Sequence, residues 1–300
     1  MNTKQFLFRD VLATHVKVSH GVFIGLPSLS GITGLNRNFC IQLAKAVGLP
    51  SDAFQPSGAL LAIEGYHQHE GYKKGHKAGT ASYEAIPAAW ASFTAHIALE
   101  VSARTQQAVE LLASTDLSVI AAELLQGMSL CKGRLNNVKP PVNLAQARLQ
   151  KFGSERNRVL HCLPAASMVL RDCSDLVRDM RTEGINLMEG LVAATLRHAL
   201  RPAVYRTFFE ADDRAIVDWH LIPVMSGVRI LEQGNVGKSI RKDANGNSAA
   251  TAVGSPAFTL VRLQKAASVR LRVNEEAGTD VLPVFFKEKA HSLGYFSCAY

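Results

Sequence analysis

The 300 residues predict an α+β fold: a sheet-based domain interrupted by an all-helical block. Three observations carry this. Both ends of the chain hold β-branched and aromatic runs with partial alternation. Residues from about 102 to 200 are instead rich in Ala and Leu, set at helical spacing. A Gly- and Ser-rich stretch joins the first strand candidate to an amphipathic helix. An all-helical block between two β-rich parts reads as an insertion into one domain. The expected division is 1–101 with 201–300 as the sheet domain, and 102–200 as the inserted α-helical domain.

The elements follow in order. Phe6–Val18 (FLFRDVLATHVKV) suggests a strand. Ser19–Leu35 reads as a loop. Asn36–Leu49 puts Phe39, Leu43, Ala46 and Val47 on one helix face, with Asn36 able to cap it. Ala59–Glu64 and Ala91–Val101 are the next strand candidates, with the basic Gly71–Gly79 loop between them; Ala91–Val101 fits a helix equally. In the helical block, Leu117 to Met128 follows a cap at Thr115 or Asp116. Val169 to Met180 and Ile185 to Leu196 make two more helices, and in the basic segment 131–161 that interrupts the block, Lys139-Pro140-Pro141 breaks any helix. The last third returns to strands at Val204–Phe209, Ala215–Val224, Phe258–Val273 and Val281–Phe286. Within Val269–Val273, apolar and basic residues alternate, as on a half-buried strand with one cationic face.

Bulk composition excludes several classes. Apolar residues make up 47% of the chain, enough for a large core, so intrinsic disorder is not expected. No run of about 18 uncharged apolar residues exists, so no membrane span and no membrane partner is expected. The N-terminus lacks the apolar region and cleavage site of a signal peptide. Five cysteines without a CxxC pair suggest neither a disulfide framework nor a zinc site, and fit a cytoplasmic protein with reduced thiols. No cofactor is expected.

Charge is the most directional feature. The chain's net charge is +8. Residues 131–161 hold seven basic residues, Lys132, Arg134, Lys139, Arg148, Lys151, Arg156 and Arg158, against the single acid Glu155. Gly71–Gly79 adds Lys73, Lys74 and Lys77, and Gly234–Asn247 adds Lys238, Arg241 and Lys242 against Asp243. The rest of the chain is therefore net acidic. Positive charge gathered into loop-like segments is the footprint of a polyanion partner.

Gly234–Ser239 (GNVGKS) lacks the first glycine of a phosphate loop, where Glu232 stands instead. It fits better as a flexible loop carrying Lys238, Arg241 and Lys242 to phosphates. His67 and His69, alternating on a strand, point the same way and could begin a metal site, but no firm third ligand follows. Beside Tyr66, Tyr72 and the lysines, they and His76 also suit an RNA-facing loop. No nucleophile elbow occurs, and His15 and His20 have no discernible catalytic partner. The Gly21–Gly34 loop, set between a strand and a helix N-terminus, offers backbone N–H groups to an anion, with Arg37 as an added donor fork.

At this loop the sequence resembles a family. Phe23-Ile-Gly-Leu-Pro-Ser-Leu-Ser-Gly-Ile-Thr-Gly-Leu35, after a strand and before a helix, resembles the opening of CRISPR RAMP-type subunits of the type I-F lineage. The match is clearest over residues 5–48. The helical block makes the chain most similar to the Cas-five-type subunit of the minimal (variant) type I-F Cascade, which carries a helical domain in place of a large subunit. The resemblance implies a ferredoxin-like, RNA-recognition-motif-type sheet domain. It also implies binding of the CRISPR RNA 5′ handle, contact with double-stranded target DNA beside the protospacer-adjacent motif, a backbone filament protein as neighbour, and a helicase-nuclease that joins transiently.

By position, the resemblance sets Ser28, Ser30, Thr33 and Arg37 near the handle, and Lys73, Lys74 and Lys77 on a projecting hairpin. His76, Lys238, Arg241 and Lys242 join the expected RNA set. The expected DNA set is Lys132, Arg134, Asn136, Asn137, Lys139, Arg148, Lys151, Arg156 and Arg158, assigned by charge and by the suitability of Arg and Asn for base edges. The chain departs from the family in lacking a distinct glycine-rich loop near its C-terminus. No catalytic set matches RNA-cleaving relatives, so the expectation is a non-enzymatic subunit. Two rivals are a filament subunit of the same complex and a metal-dependent hydrolase using His67 and His69.

Overall fold

The computed structural model describes residues 3–20, 23–76, 83–196, 219–232, 253–275, 284–291 and 294–299. Its framework is one long antiparallel sheet that curls around a helix. The first strand, β1 (Thr3–Lys17), is followed by the short pair β2 (Ser19–His20) and β3 (Phe23–Ile24), then helix α1 (Leu29–Ala46). A long hairpin follows, β4 (Phe54–His76) and β5 (Tyr83–Ala103). Next come α2 (Gln106–Ser114), α3 (Ser118–Gln126), β6 (Ser129–Leu130), β7 (Gly133–Asn136), α4 (Ala147–Gln150), α5 (Glu155–Cys162), β8 (Met168–Asp172), α6 (Ser174–Thr182) and α7 (Leu187–Thr195). The last part holds β9 (Trp219–Glu232), β10 (Val253–Lys265), α8 (Ala266–Glu275), β11 (Phe286–His291) and β12 (Gly294–Ala299).

The strand order is β11-β12-β9-β10-β8-β4-β5-β1-β7-β6. Strand β11 also reaches back to β4 through Phe286↔Ala59, which closes one part of the sheet on itself. Helix α1 touches β4, β9, β11 and β12, so the curl wraps around it.

The sequence explains α1. Leu29, Ile32, Leu35, Phe39 and Leu43 recur at helical spacing and are buried. Phe39 meets Phe6 and Phe8 of β1 edge to face, with ring centres 5.5 and 6.1 Å apart. Together with Leu112, Leu117, Ala121 and Leu125 of the α2–α3 region, these residues form the main core on one sheet face. The opposite face is covered by α5, α8 and Phe285 over Leu7, Leu60, Ala62 and Ala98. A third cluster lies under α6 and α7, against Leu221 and Leu260.

Several expectations change. The helix begins at Leu29, so Gly31 and Gly34 lie in its first turns rather than in a loop, and its cap is Ser28. Asn36 is buried and donates from its amide to Gly58 O and Glu100 O, at 2.8 and 3.1 Å. Ala91–Val101 is strand, within β5. Residues 102–196 are not all-helical: β7 pairs with β1, β6 with β7, and β8 with both β10 and β4. The Val169–Met180 stripe splits into β8 and α6, because backbone pairing with β10 fixes its first part. Val269–Val273 is helical, within α8, where Val269 joins the second core. Val204–Phe209 lies outside the described residues. No described helix is long and apolar enough to cross a membrane.

Candidate nucleic-acid interface

The start of α1 shows what the Pro-Ser-Leu-Ser-Gly segment does locally. The Ser28 hydroxyl accepts from Gly31 N–H at 3.1 Å, and Ser30 donates to Ser28 Oγ at 3.3 Å. Thr33 is buried and returns its hydroxyl to Leu29 O at 3.2 Å. These three side chains are committed to the helix itself. Of the four residues expected near the handle, Arg37 alone carries a charge to solvent, and it meets Glu288 of β11 at 3.4 Å.

The same turn is also a seat. A methyl at Gly31 would stand 2.1 Å from Cys131 Sγ. Cys131 and Lys132 are the two turn residues of the β6–β7 hairpin, and both take positive φ, 46° and 71°. That is the backbone a tight two-residue hairpin requires, here adopted without glycine. Lys17 N–H donates to Cys131 O at 3.0 Å and holds the turn down.

This hairpin is the sheet's edge and presents the first half of the basic segment. Lys132, Arg134, Asn137 and Lys139 are exposed. Asn136 is half-buried and donates to Thr14 Oγ1 at 3.2 Å. The second half lies on the other side of the sheet. Val142 N–H bonds Leu7 O at 2.8 Å, and the chain then crosses onto the face covered by α5. Arg148 and Lys151 are exposed there. Lys151 sits 4.8 Å above the Phe152 ring, which stacks on His161 at 3.6 Å.

Two basic residues of the expected DNA set are half-buried. Arg156 grips buried Glu100 with two hydrogen bonds, 2.8 and 2.9 Å, and lies over the Phe285 ring. Glu100 accepts a third bond from Gln5 at 2.7 Å. Arg156 is thus a brace between α5 and the sheet, so its place in the DNA set is revised. Arg158 is half-buried beside Glu155, whose carboxyl is pushed up by burial while Arg158 pulls it down.

The β4–β5 hairpin forms a two-stranded arm. From Gly71↔Ala88 to His76↔Tyr83, these strands pair with each other and with no other described strand. Lys73, Lys74 and His76 lie along β4 in this arm. Lys77, Lys238, Arg241 and Lys242 lie outside the described residues. His67 and His69 are exposed on β4. Among the described residues, no group of three His, Cys, Asp or Glu stands where it could hold a metal ion.

One polar cluster is not readable in the sequence. His96, fully buried in β5, lies 3.4 Å from Glu64 Oε1 through Nε2 and 3.9 Å from Asp10 through Nδ1. Asp10 N–H donates to His96 Nδ1 at 3.2 Å, so the neutral ring carries its proton on Nε2. Burial lowers the His96 pKa, while the carboxylates of Glu64 and Asp10 pull it up. Asp10 and Gly65, both at positive φ, mark bulges in β1 and β4 that bring these carboxylates to the ring. Burial pushes the Cys40 thiol to about 12 and the Cys173 thiol to about 11, so neither is a ready nucleophile.

Compared with known proteins, the chain matches no family model and no curated protein.

Proposed function

We propose that this chain is a non-catalytic subunit of an RNA-guided CRISPR interference complex, binding the 5′ handle of the guide RNA and contacting target DNA duplex. The observation that carries this is the order of the first 137 residues. Strands β4, β5, β1 and β7 are adjacent in that order, with α1 and the α2–α3 region against one face. Read as the second, third, first and fourth strands of a β-α-β-β-α-β unit, this is the ferredoxin-like arrangement used by RNA-recognition-motif domains. The helices α2 and α3, expected in an inserted domain, belong to that unit in this reading. Later helices α4–α7 remain as additions around the sheet.

Exposed Lys132, Arg134, Lys139, Arg148 and Lys151 support phosphate binding. The β4–β5 arm, with Lys73 and Lys74 on it, supports a projecting RNA contact. Guide pairing reads sequence in this scheme, and the protein supplies charge, shape and end-capping. A filament protein and a transiently bound helicase-nuclease are the expected partners.

The test is co-expression with a CRISPR array and a filament subunit, followed by extraction of bound nucleic acid. A discrete RNA with a constant 5′ end is expected, and its loss when Lys73, Lys74 and Lys77 are replaced by Glu. Recovery of no RNA, or of random cellular RNA, overturns the proposal.

A further inference from the structure

We infer that the open face of the β4-β5-β1-β7 sheet seats a single strand of RNA, with the Trp90 indole stacking on an unpaired base. This rests on the reading of the chain as an RNA-binding subunit, and gives that reading a stacking site that none of the basic clusters supplies.

Strand register decides which residues share this face. Ala13, Ala91, Phe93 and Leu135 point into the main core. Side chains alternate along a strand, so Leu12, Thr14, Trp90, Ser92, Arg134 and Asn136 point the other way. His67 and His69 pair with Ser92 and Trp90, which sets them on the same side. Helices α5 and α8 and Phe285 cover the other end of this face, over Leu7, Leu60 and Ala62. The end that carries Trp90 is open to solvent: His67 and His69 are exposed, and so is Leu12, by 44%.

Trp90 is placed as a platform. Its ring reaches over Gly71, where a Cβ would stand 3.1 Å from Trp90 Cζ3. The missing side chain lets the indole lean across β4 at the root of the arm. His69 stands directly beside it on β4, and Lys17 directly beside it on β1. Trp90 is half-buried, anchored against Gly71 yet still reached by solvent. An indole offers a broad π-face, and bases of any identity stack on such a ring.

Charge and composition choose the occupant. From this face β4 runs on into the arm that carries Lys73 and Lys74. The acids Glu64 and Asp10 stand together at the inner end of the face, beside His96. Arg134 and Asn136 bound it on β7, where the expected DNA set begins. A ring set among cations suits phosphates and unpaired bases. The core of a protein interface would ask for contiguous apolar surface, whereas Ser92 and Thr14 lie between Trp90 and Leu12. Bases inside a duplex hide their faces, so the strand must be single. Four strands at a spacing of about 4.8 Å span about 14 Å, room for two or three nucleotides.

The test uses the full chain and a uridine octamer at fixed salt, labelled with fluorescein for anisotropy and unlabelled for tryptophan emission. Trp90→Ala should weaken the octamer about tenfold, one stacked base's worth. Binding should quench the emission of the unaltered chain. Trp90→Phe should keep most of the affinity and lose the quench, leaving Trp219 as the remaining emitter. A blunt GC-rich RNA duplex should give no quench. Should Trp90→Ala fail to fold, the quench and its absence in Trp90→Phe decide alone. Unchanged affinity in Trp90→Ala, or emission that binding does not alter, overturns the site and leaves the RNA-binding reading standing. So does loss of filament-subunit capture in Trp90→Ala with octamer binding intact, which would make the face a protein dock. If the octamer does not bind the unaltered chain at all, the reading and the site fall together.

Discussion

Gly31 shows how one missing methyl fixes a contact between distant parts of the chain. A Cβ at that position would meet Cys131 Sγ at 2.1 Å but Cys131 Cβ at 3.6 Å. Gly31→Ala should therefore destabilise by about 1–3 kcal/mol through overpacking, despite alanine's better helix propensity. Adding Cys131→Ala should recover most of the loss, measured as urea midpoints of the single and double variants. Arg156 makes the opposite kind of point. Its guanidinium is paired with Glu100, which is 6% exposed. Arg156→Met alone strands that carboxylate and should cost about 3–5 kcal/mol, while Arg156→Met with Glu100→Leu should cost far less. His96 gives a pH signature. Burial sets its folded pKa below the ordinary 6.5, so the unfolded chain takes up its proton first as pH falls. The stability is fully present above about pH 6.5 and is lost as the pH falls toward the folded value. His20 and His161 are shifted in the same direction, also mainly by burial. The urea midpoint should drop between about pH 7.5 and about 5.5, and His96→Asn should make that drop smaller.

At the scale of elements, the basic segment divides into an edge hairpin and a helical face, and the two halves should behave differently. Lys132 and Arg134 project from the β6–β7 hairpin and brace nothing in the core. Replacing both with Gln should leave the melting temperature within a degree or two and reduce the salt slope of nucleic-acid binding by about 2. Charge reversal at Arg134 and Lys139 should abolish duplex DNA binding and spare guide RNA binding. Equal loss of both would mean that the hairpin edge serves RNA and DNA alike. Arg156, by contrast, should lower stability without a matching change in salt slope.

For the whole molecule, the decisive fact is that the chain from 102 to 196 is woven into the sheet. Strand β7 lies beside β1, and β8 lies between β4 and β10. Residues 102–200 expressed alone should lack a cooperative unfolding transition, since β7 and β8 would lose their partners. The closure of β11 on β4 at Phe286↔Ala59 is held by Phe286, which is fully buried. Phe286→Ala should cost about 3–5 kcal/mol, seen as a lower unfolding midpoint.

The sequence by itself determined the local layer of this protein. Alternation in Phe6–Val18 announced β1, the spacing of Phe39 and Leu43 announced α1, and the clustering of Lys132, Arg134 and Lys139 marked a basic, loop-like segment. These are short-range properties, set by side-chain period and charge. The tertiary structure decided whatever depends on partners far along the chain. Val169–Asp172 has a helical stripe yet becomes a strand because β10 and β4 supply its hydrogen bonds. Arg156 looks like a DNA contact in a basic run and is a core brace because Glu100, in β5, reaches it. Asp10, Glu64 and His96 are scattered in sequence, and only the bulges of β1 and β4 bring them together. A one-dimensional pattern records which face a residue prefers. The strand that arrives beside it is chosen by backbone pairing across the whole fold.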